Sequence, residues 1–164
     1  MNFCLEYALE NRMRILQKVE HAISKYCSGN ILKDSLVNRN HNHAELKDGL
    51  WIHRKGATHA EDGMMGVIPG NMKDGSFIVR GKGNQNSLCS SSHGAGRVMS
   101  RSKAKTNISM DDFKNSMNGI VAKVDNGTLD ESVFAYKNIF EVMENQKDLV
   151  DVVNYIKPII NIKG

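Results

Sequence analysis

Cysteine is scarce in this sequence, and long apolar runs are missing from it. The three cysteines, Cys4, Cys27 and Cys89, lie far apart and include no Cys-x-x-Cys pair. Such a scattered, odd set argues against a disulfide framework and against a structural zinc knuckle. No apolar run approaches the roughly 20 residues that span a bilayer, and the residues after Met1 lack the pattern of a secretory leader. We therefore expect a cytoplasmic protein.

The size and charge of the chain set wide limits on its function. Its 164 residues, 40% of them hydrophobic, suffice for one compact core, so residues 1–164 are expected to form a single domain or a piece of a larger one. A net charge of +4 and a pI near 9.0 permit a polyanionic partner. The same balance occurs in many proteins without such a partner, so charge alone does not assign one.

The hydrophobic pattern predicts an α+β fold with peripheral helices around short strands. Helices are predicted at residues 3–26, 110–118 and 138–156, where apolar residues recur at three- and four-residue steps. Between Leu50 and Arg80, short apolar runs alternate with Gly, Pro and Asp, which is typical of short strands joined by turns. The Asn- and His-rich stretch before Gly49 has little periodicity and is interpreted as a loop.

Residues 81–105 stand out because Gly, Ser, Asn, Lys and Arg dominate them, which predicts either a linker or a functional loop. His93 lies there between serines and Gly94, and Arg97 follows four residues later. Small neighbours let a bulky substrate approach the backbone, so a neutral imidazole could attack phosphorus while a guanidinium neutralises the developing charge. A solvated histidine in a flexible loop is the alternative.

A second group of histidines raises the possibility of metal binding. His41 and His43 alternate with Asn40 and Asn42, and His53 and His59 follow. Imidazole suits ions such as Mn, Fe and Zn, but the spacing is not that of a zinc finger. A solvated Asn/His loop therefore stays open as an alternative.

Residues 69–72, Pro-Gly-Asn-Met, are predicted to form a turn with Pro and Gly at its central positions.

Several stretches, taken in order, resemble motifs of the RtcB family of RNA ligases. They are His53-Arg54-Lys55-Gly56-Ala57-Thr58, Pro69-Gly70-Asn71-Met72, residues 78–84, residues 92–101, Ala135-Tyr136-Lys137 and Lys163-Gly164. The resemblance covers almost the whole chain and corresponds to the C-terminal portion of that family. It implies an RtcB-like α+β fold of which this chain is an incomplete part.

The resemblance also implies an activity. Members of this family join RNA carrying a 2′,3′-cyclic phosphate or 3′-phosphate to RNA carrying a 5′-hydroxyl, using GTP and manganese. It implies that His93 accepts GMP as a phosphoramidate and passes it to the RNA 3′-phosphate. A metal on the triphosphate would withdraw charge from phosphorus and orient pyrophosphate for departure.

The remaining site residues follow from the same resemblance. His41 corresponds to a manganese ligand, and His43 is the less probable of the two. Lys55, Arg97 and Arg101 would contact the triphosphate or the RNA phosphate. The residues implied in GTP or GMP binding are Pro69, Gly70, Asn71, Ser76, Gly94, Ala95, Gly96, Arg97, Tyr136 and Lys163. The resemblance puts Ser76 and Tyr136 at the guanine, Lys163 near the base, and Gly94 and Ala95 near the ribose.

The chain departs from the family pattern in three ways. Asn71 stands where the turn usually has Ser, and Ser132-Val133-Phe134 replaces a Pro-containing approach to Ala135. The family's Asp and Cys ligands and two further metal-binding histidines belong to a region that does not correspond to this chain. We therefore expect a truncated or split enzyme that needs a separate chain for activity, a non-catalytic RNA- or nucleotide-binding remnant, or an unstable decay product.

Overall fold

The computed structural model describes residues 2–29 and 32–163. Its helices are α1 (Asn2–Ser24), α2 (Arg101–Asn107), α3 (Met110–Ser116) and α4 (Ile139–Glu144). Its strands are β1 (Asn42–Lys47), β2 (Leu50–Lys55), β3 (Ala57–His59), β4 (Met65–Pro69), β5 (Ser76–Gly81), β6 (Ser90–Ser92), β7 (Val121–Ala122), β8 (Val150–Ile156) and β9 (Ile160–Asn161). The predicted α+β class is confirmed.

The strands form four small sheets. β1 and β2 make an antiparallel hairpin, β3 pairs antiparallel with β6, and β4, β5 and β8 form an antiparallel sheet with β5 in the centre. β7 and β9 make a two-residue parallel pair. No helix in the described ranges combines the length and hydropathy needed to cross a bilayer.

Two predicted elements differ from the structure. The predicted helix at 138–156 is wrong beyond its first third, because α4 ends at Glu144 and the chain continues as β8. β8 is rich in β-branched residues and pairs with the open edge of β5, so strand pairing prevails over the helical spacing. The loop predicted before Gly49 is also wrong, since β1 lies there and turns into β2 at Asp48 and Gly49, both with positive φ.

The turn at residues 69–72 is displaced along the chain. Pro69 is still the last residue of β4, and the reversal is made by residues 70–75, where the Gly70 amide donates to the Gly75 carbonyl at 2.8 Å. The Asn71 carboxamide accepts from the amides of Lys73 and Asp74, each at 2.9 Å. The side chain of Asn71 therefore stabilises the β4–β5 connection itself.

Two buried clusters form the interior. One joins the central sheet to α4 and includes Ile68, Phe77, Val79, Ala95 and Ile139. The other consists of Met72, Phe113, Met117 and Leu129. The segment predicted as a linker or functional loop, 81–105, contributes buried residues to the interior and contains β6 and the start of α2, which excludes a plain linker. The described side chains of α1 include no buried residue.

Candidate active site

The strand pair β3–β6 positions His93. Ala57 pairs with Ser92, and the His93 amide continues the ladder by donating to the Gly56 carbonyl at 3.3 Å. Gly56 has a φ of +74°, and a Cβ built on it would lie 3.7 Å from Cε1 and Nδ1 of the His93 ring. The imidazole therefore packs directly over a glycine that adopts a left-handed conformation.

His41 stacks on His93. The two ring centroids are 5.2 Å apart and the planes differ by 11°. Burial lowers the pKa of His41, and the adjacent His93 ring and the Arg12 guanidinium lower it further. His41 is consequently neutral at neutral pH, when its ring can offer a lone pair.

The residues after His93 run close to the β4 strand. The Ala95 amide donates to the Pro69 carbonyl at 3.0 Å. A Cβ at Gly94 would lie 3.1 Å from the same carbonyl oxygen, and Gly96 has a φ of +74°. The Gly-Ala-Gly sequence thus allows a backbone approach that larger side chains would obstruct.

Arg97 is held against Tyr136. Its Nη1 donates to the Tyr136 hydroxyl at 3.0 Å, its Nε donates to the Met99 carbonyl at 3.2 Å, and its Nη2 donates to the Asp130 carbonyl. The guanidinium carbon lies 4.9 Å from the Tyr136 ring centroid. A guanidinium carries five N–H groups, so these three bonds orient the side chain without using all of its donors.

Glu131 connects three side chains of the site. It accepts hydrogen bonds from the Tyr136 hydroxyl at 2.7 Å, from Lys163 Nζ at 3.2 Å and from Arg101 Nη1. Burial alone would raise the pKa of Glu131, but the hydrogen bonds from Tyr136, Arg101 and Lys163 outweigh it and lower that pKa. Glu131 was not predicted from the sequence. An acidic pair with Asp130, shortly before the Ala-Tyr-Lys motif, was the available signal.

These residues surround one cavity of about 540 Å³. Twelve of the fourteen predicted site residues line it, and they are Pro69, Gly70, Asn71, Ser76, His93, Gly94, Ala95, Gly96, Arg97, Arg101, Tyr136 and Lys163. Three cationic side chains face one carboxylate, that of Glu131, so the lining carries an excess of positive charge. Such a cavity suits a polyanionic ligand with an aromatic portion.

Two predicted residues lie outside this cavity. His41 shares a neighbouring cavity of about 330 Å³ with His93 and Pro69. Lys55 lines another cavity, beside α1, together with His41 and His53. The structure therefore brings His41 to His93 directly and does not bring Lys55 into the same cavity.

A manganese site at His41 would need further ligands beside its imidazole. Within residues 2–29 and 32–163, the groups of three or more His, Cys, Asp or Glu side chains that could hold an ion do not include His41. The described residues therefore supply one imidazole at this position and do not complete a metal site there.

The sequence of this chain is similar to those of known RNA-splicing ligases. The family model for tRNA-splicing ligase RtcB matches residues 1–164. RNA-splicing ligase RtcB1 of an Escherichia coli strain is 40% identical over 158 residues, which cover 95% of this chain and 39% of the relative. RNA-splicing ligase RtcB of Escherichia coli K12 is 42% identical over 132 residues, covering 78% of this chain and 32% of the relative.

A more distant relative gives the same result. tRNA-splicing ligase RtcB of Nanoarchaeum equitans is 34% identical over 139 residues, covering 72% of this chain and 29% of that protein. The aligned part amounts to about two fifths or less of the length of each of these relatives. By sequence and by the match of the family model to its whole length, this chain belongs to the RtcB family of tRNA-splicing ligases.

Proposed function

We propose that this chain forms the nucleotide-binding, histidine-bearing part of an RNA ligase that joins 2′,3′-cyclic phosphate or 3′-phosphate ends to 5′-hydroxyl ends. The observation that supports it is the shared cavity in which His93 lies beside Gly94, Ala95, Arg97 and Tyr136. A nucleophile, small residues for close approach, cations and an aromatic ring are the groups that nucleotidyl transfer to histidine requires.

The proposed reaction has three steps for a 3′-phosphate end. A 2′,3′-cyclic phosphate end is first hydrolysed by water, which breaks the bond between phosphorus and the 2′-oxygen and leaves a 3′-phosphate. A neutral nitrogen of His93 attacks the α-phosphorus of GTP, so a P–N bond forms and the P–O bond to pyrophosphate breaks. An oxygen of the RNA 3′-phosphate then takes the GMP group, which frees the imidazole. The 5′-hydroxyl of the second RNA end finally attacks the activated phosphate and GMP departs, leaving a phosphodiester.

Different cavity residues would bind different parts of the nucleotide. Gly94 and Ala95 leave room for the ribose, because their backbone lies against Pro69 and they have little or no side chain. Arg97 and Arg101 would offset the charge of the phosphates, and Lys163 would lie near the base, with Glu131 fixing the positions of Arg101 and Lys163. Ser76 and Tyr136 would hold the guanine.

This chain would supply only part of the proposed manganese site. His41 would supply one ligand, and the remaining ligands would come from residues of full-length relatives that lie outside the part aligned with this chain. A manganese requirement and a separate N-terminal chain are therefore part of the proposal.

Incubation with labelled GTP and manganese tests the proposed intermediate. The reaction is run with a second polypeptide that supplies the N-terminal portion of an RtcB ligase, and the products are separated on denaturing gels. We expect protein-bound label that is acid-labile and base-stable, lost in His93→Ala and retained in His21→Ala, an exposed histidine of α1. Absence of label from the wild-type chain in the complemented reaction would contradict the proposal.

A non-catalytic RNA- or nucleotide-binding role is the second candidate. It is favoured by the cationic cavity and by the metal site at His41, which the described residues do not complete. In that case RNA binding falls steeply with salt, survives His93→Ala and is indifferent to manganese. Label on His93 would exclude it.

A further inference from the structure

A cluster of ionisable side chains lies outside the His93 cavity, at the junction of the β1–β2 hairpin with β3. His43 and Glu45 are two residues apart on β1 and therefore project from the same face of the strand. His59 ends β3, and Glu61 follows it by two residues. None of these four residues lines the cavity that contains His93 and Tyr136.

The two imidazoles meet through their Nε2 atoms. These atoms are 2.6 Å apart, and the rings stack with centroids 4.6 Å apart. His59 Nδ1 lies 2.9 Å from a Glu61 carboxylate oxygen. Because an ionised carboxylate only accepts, Nδ1 of His59 carries a proton. The neutral form of this ring then presents a lone pair on Nε2 to His43.

This arrangement leaves His43 with an unsatisfied nitrogen. His43 is 6% exposed, and its Nδ1 is buried without a hydrogen-bond partner among the described residues. If His43 donates from Nε2, the buried Nδ1 is an acceptor without a donor. If it carries its proton on Nδ1, two lone pairs face each other across 2.6 Å. Neither tautomer satisfies both rings.

The carboxylates give the cluster an excess negative charge. Arg54 is 2% exposed and is fixed by Ser90 Oγ at 2.8 Å and by the Leu88 carbonyl at 3.0 Å. It donates to one oxygen of Glu45, while the other oxygen lies 3.7 Å from His59 Nε2. Glu45 and Glu61 together bring two negative charges against the single positive charge of Arg54.

We propose that His43, Glu45 and His59 bind a divalent transition-metal ion of the zinc class. One donor atom from each of the three lies within 4.8 Å of the others, and two imidazoles with one carboxylate form a donor set that such ions prefer over magnesium or calcium. The orienting groups are already in place, since Glu61 fixes the His59 tautomer and Arg54 holds the second oxygen of Glu45.

The ion would connect two parts of the fold. His43 and Glu45 belong to the β1–β2 hairpin. His59 belongs to β3, which pairs with β6, the strand that immediately precedes His93. Binding would therefore stabilise the junction of the hairpin with the β3–β6 pair. This role is independent of the proposed ligase chemistry, and it differs from the manganese contact proposed for His41.

Calorimetric titration of the chelator-treated chain with zinc chloride tests the site. We expect one ion per chain, undiminished by excess magnesium. Since loss of an orienting residue alone weakens metal sites by ~10–100-fold, His59→Gln and the near-isosteric Glu45→Gln should weaken binding by at least about 10-fold. His53→Gln, an exposed histidine of β2, and His41→Gln should keep wild-type affinity.

Cobalt titration adds a spectroscopic readout, because a His/carboxylate site gives visible absorption bands that a nonspecific surface site does not. These bands should be lost in His59→Gln and present in His53→Gln. No zinc binding at micromolar concentrations, equal binding in His59→Gln and wild type, or loss of binding in His41→Gln would each overturn the proposal.

Discussion

Glu131 shows how one side chain can organise a site without being part of a recognisable motif. Its carboxylate is 14% exposed and accepts from a tyrosine, an arginine and a lysine that come from different parts of the chain. The same contacts orient the Tyr136 ring on which Arg97 packs. The shape of one wall of the cavity therefore depends on this carboxylate.

Replacement of Glu131 by alanine is expected to destabilise the protein by about 1–3 kcal/mol, because the half-buried Tyr136 hydroxyl and Arg101 lose an ionised acceptor. Urea denaturation measures the loss. Glu144→Ala is the matched control, since Glu144 pairs with Lys147 at the surface, and it should change stability by less than about 0.5 kcal/mol. Equal effects of the two substitutions would contradict the role assigned to Glu131.

The residues of the site were largely predictable because they lie in short motifs. His93, Arg97 and Tyr136 were identified from their sequence neighbourhoods, and all three line the same cavity. Glu131 was not identified, and His43 and His59 were singled out only as members of a group of histidines that could bind metal. Their actual contacts join separate segments of the chain. Lys55 was predicted to contact phosphate because it lies in a family-like motif. Its side chain instead lines a cavity beside α1, apart from the cavity that contains His93.

At the scale of elements, α4 is short but central. Ile139 at its start is fully buried, and its side chain lies against Gly70, where a Cβ would come within 3.2 Å of Ile139 Cγ2. Asn138 caps the helix by accepting from the Phe140 amide. α4 thus packs its first turn directly beneath the β4–β5 connection that borders the cavity.

Truncation of Ile139 to alanine should cost about 2–5 kcal/mol, because it leaves a void in a core position that cannot readily collapse. Thermal or urea unfolding measures this loss. Ile159→Ala removes the same atoms from a side chain that is 74% exposed, and it should change stability by less than about 0.5 kcal/mol. A large effect at Ile159 would mean that another surface covers this segment.

The two elements that were predicted wrongly fail for different physical reasons. Residues 138–156 satisfy helical spacing, but strand β8 gains hydrogen bonds from β5 that a helix could not make there. β1 has few apolar residues, yet its pairing with β2 is specified by the left-handed Asp48-Gly49 turn. The partner strand of β8 is distant in sequence, so a local window does not contain it. The signal for β1 was local, since Asp48-Gly49 is a typical hairpin turn, and the interpretation as a loop missed it.

At the scale of the whole molecule, ion pairs hold the cavity walls together. Asp130 is bonded to Arg101 and lies near Lys105, and these contacts outweigh the effect of burial and lower its pKa. The pKa of Glu131 is lowered for a similar reason. Both carboxylates lie between α2 and Tyr136, so their ionisation affects how these segments stay together.

Acid should therefore destabilise the folded chain. A carboxylate whose folded pKa lies below its unfolded value contributes stability that is present above the unfolded pKa, about 4, and is lost as pH falls through the folded pKa. We expect the free energy of unfolding to be nearly constant around neutral pH and to decrease below about pH 4. Glu131→Gln should show a shallower decrease in urea midpoint over that range, and an unchanged slope would contradict the assignment.

The cavity also touches both hydrophobic clusters. Ala95 belongs to the cluster beneath the central sheet, Met72 belongs to the cluster around Phe113, and both line the same space. A nucleotide seated there would contact residues of both clusters at once. Bound nucleotide should therefore stabilise the packing of both clusters, since a ligand that binds only the native state raises the free energy of unfolding.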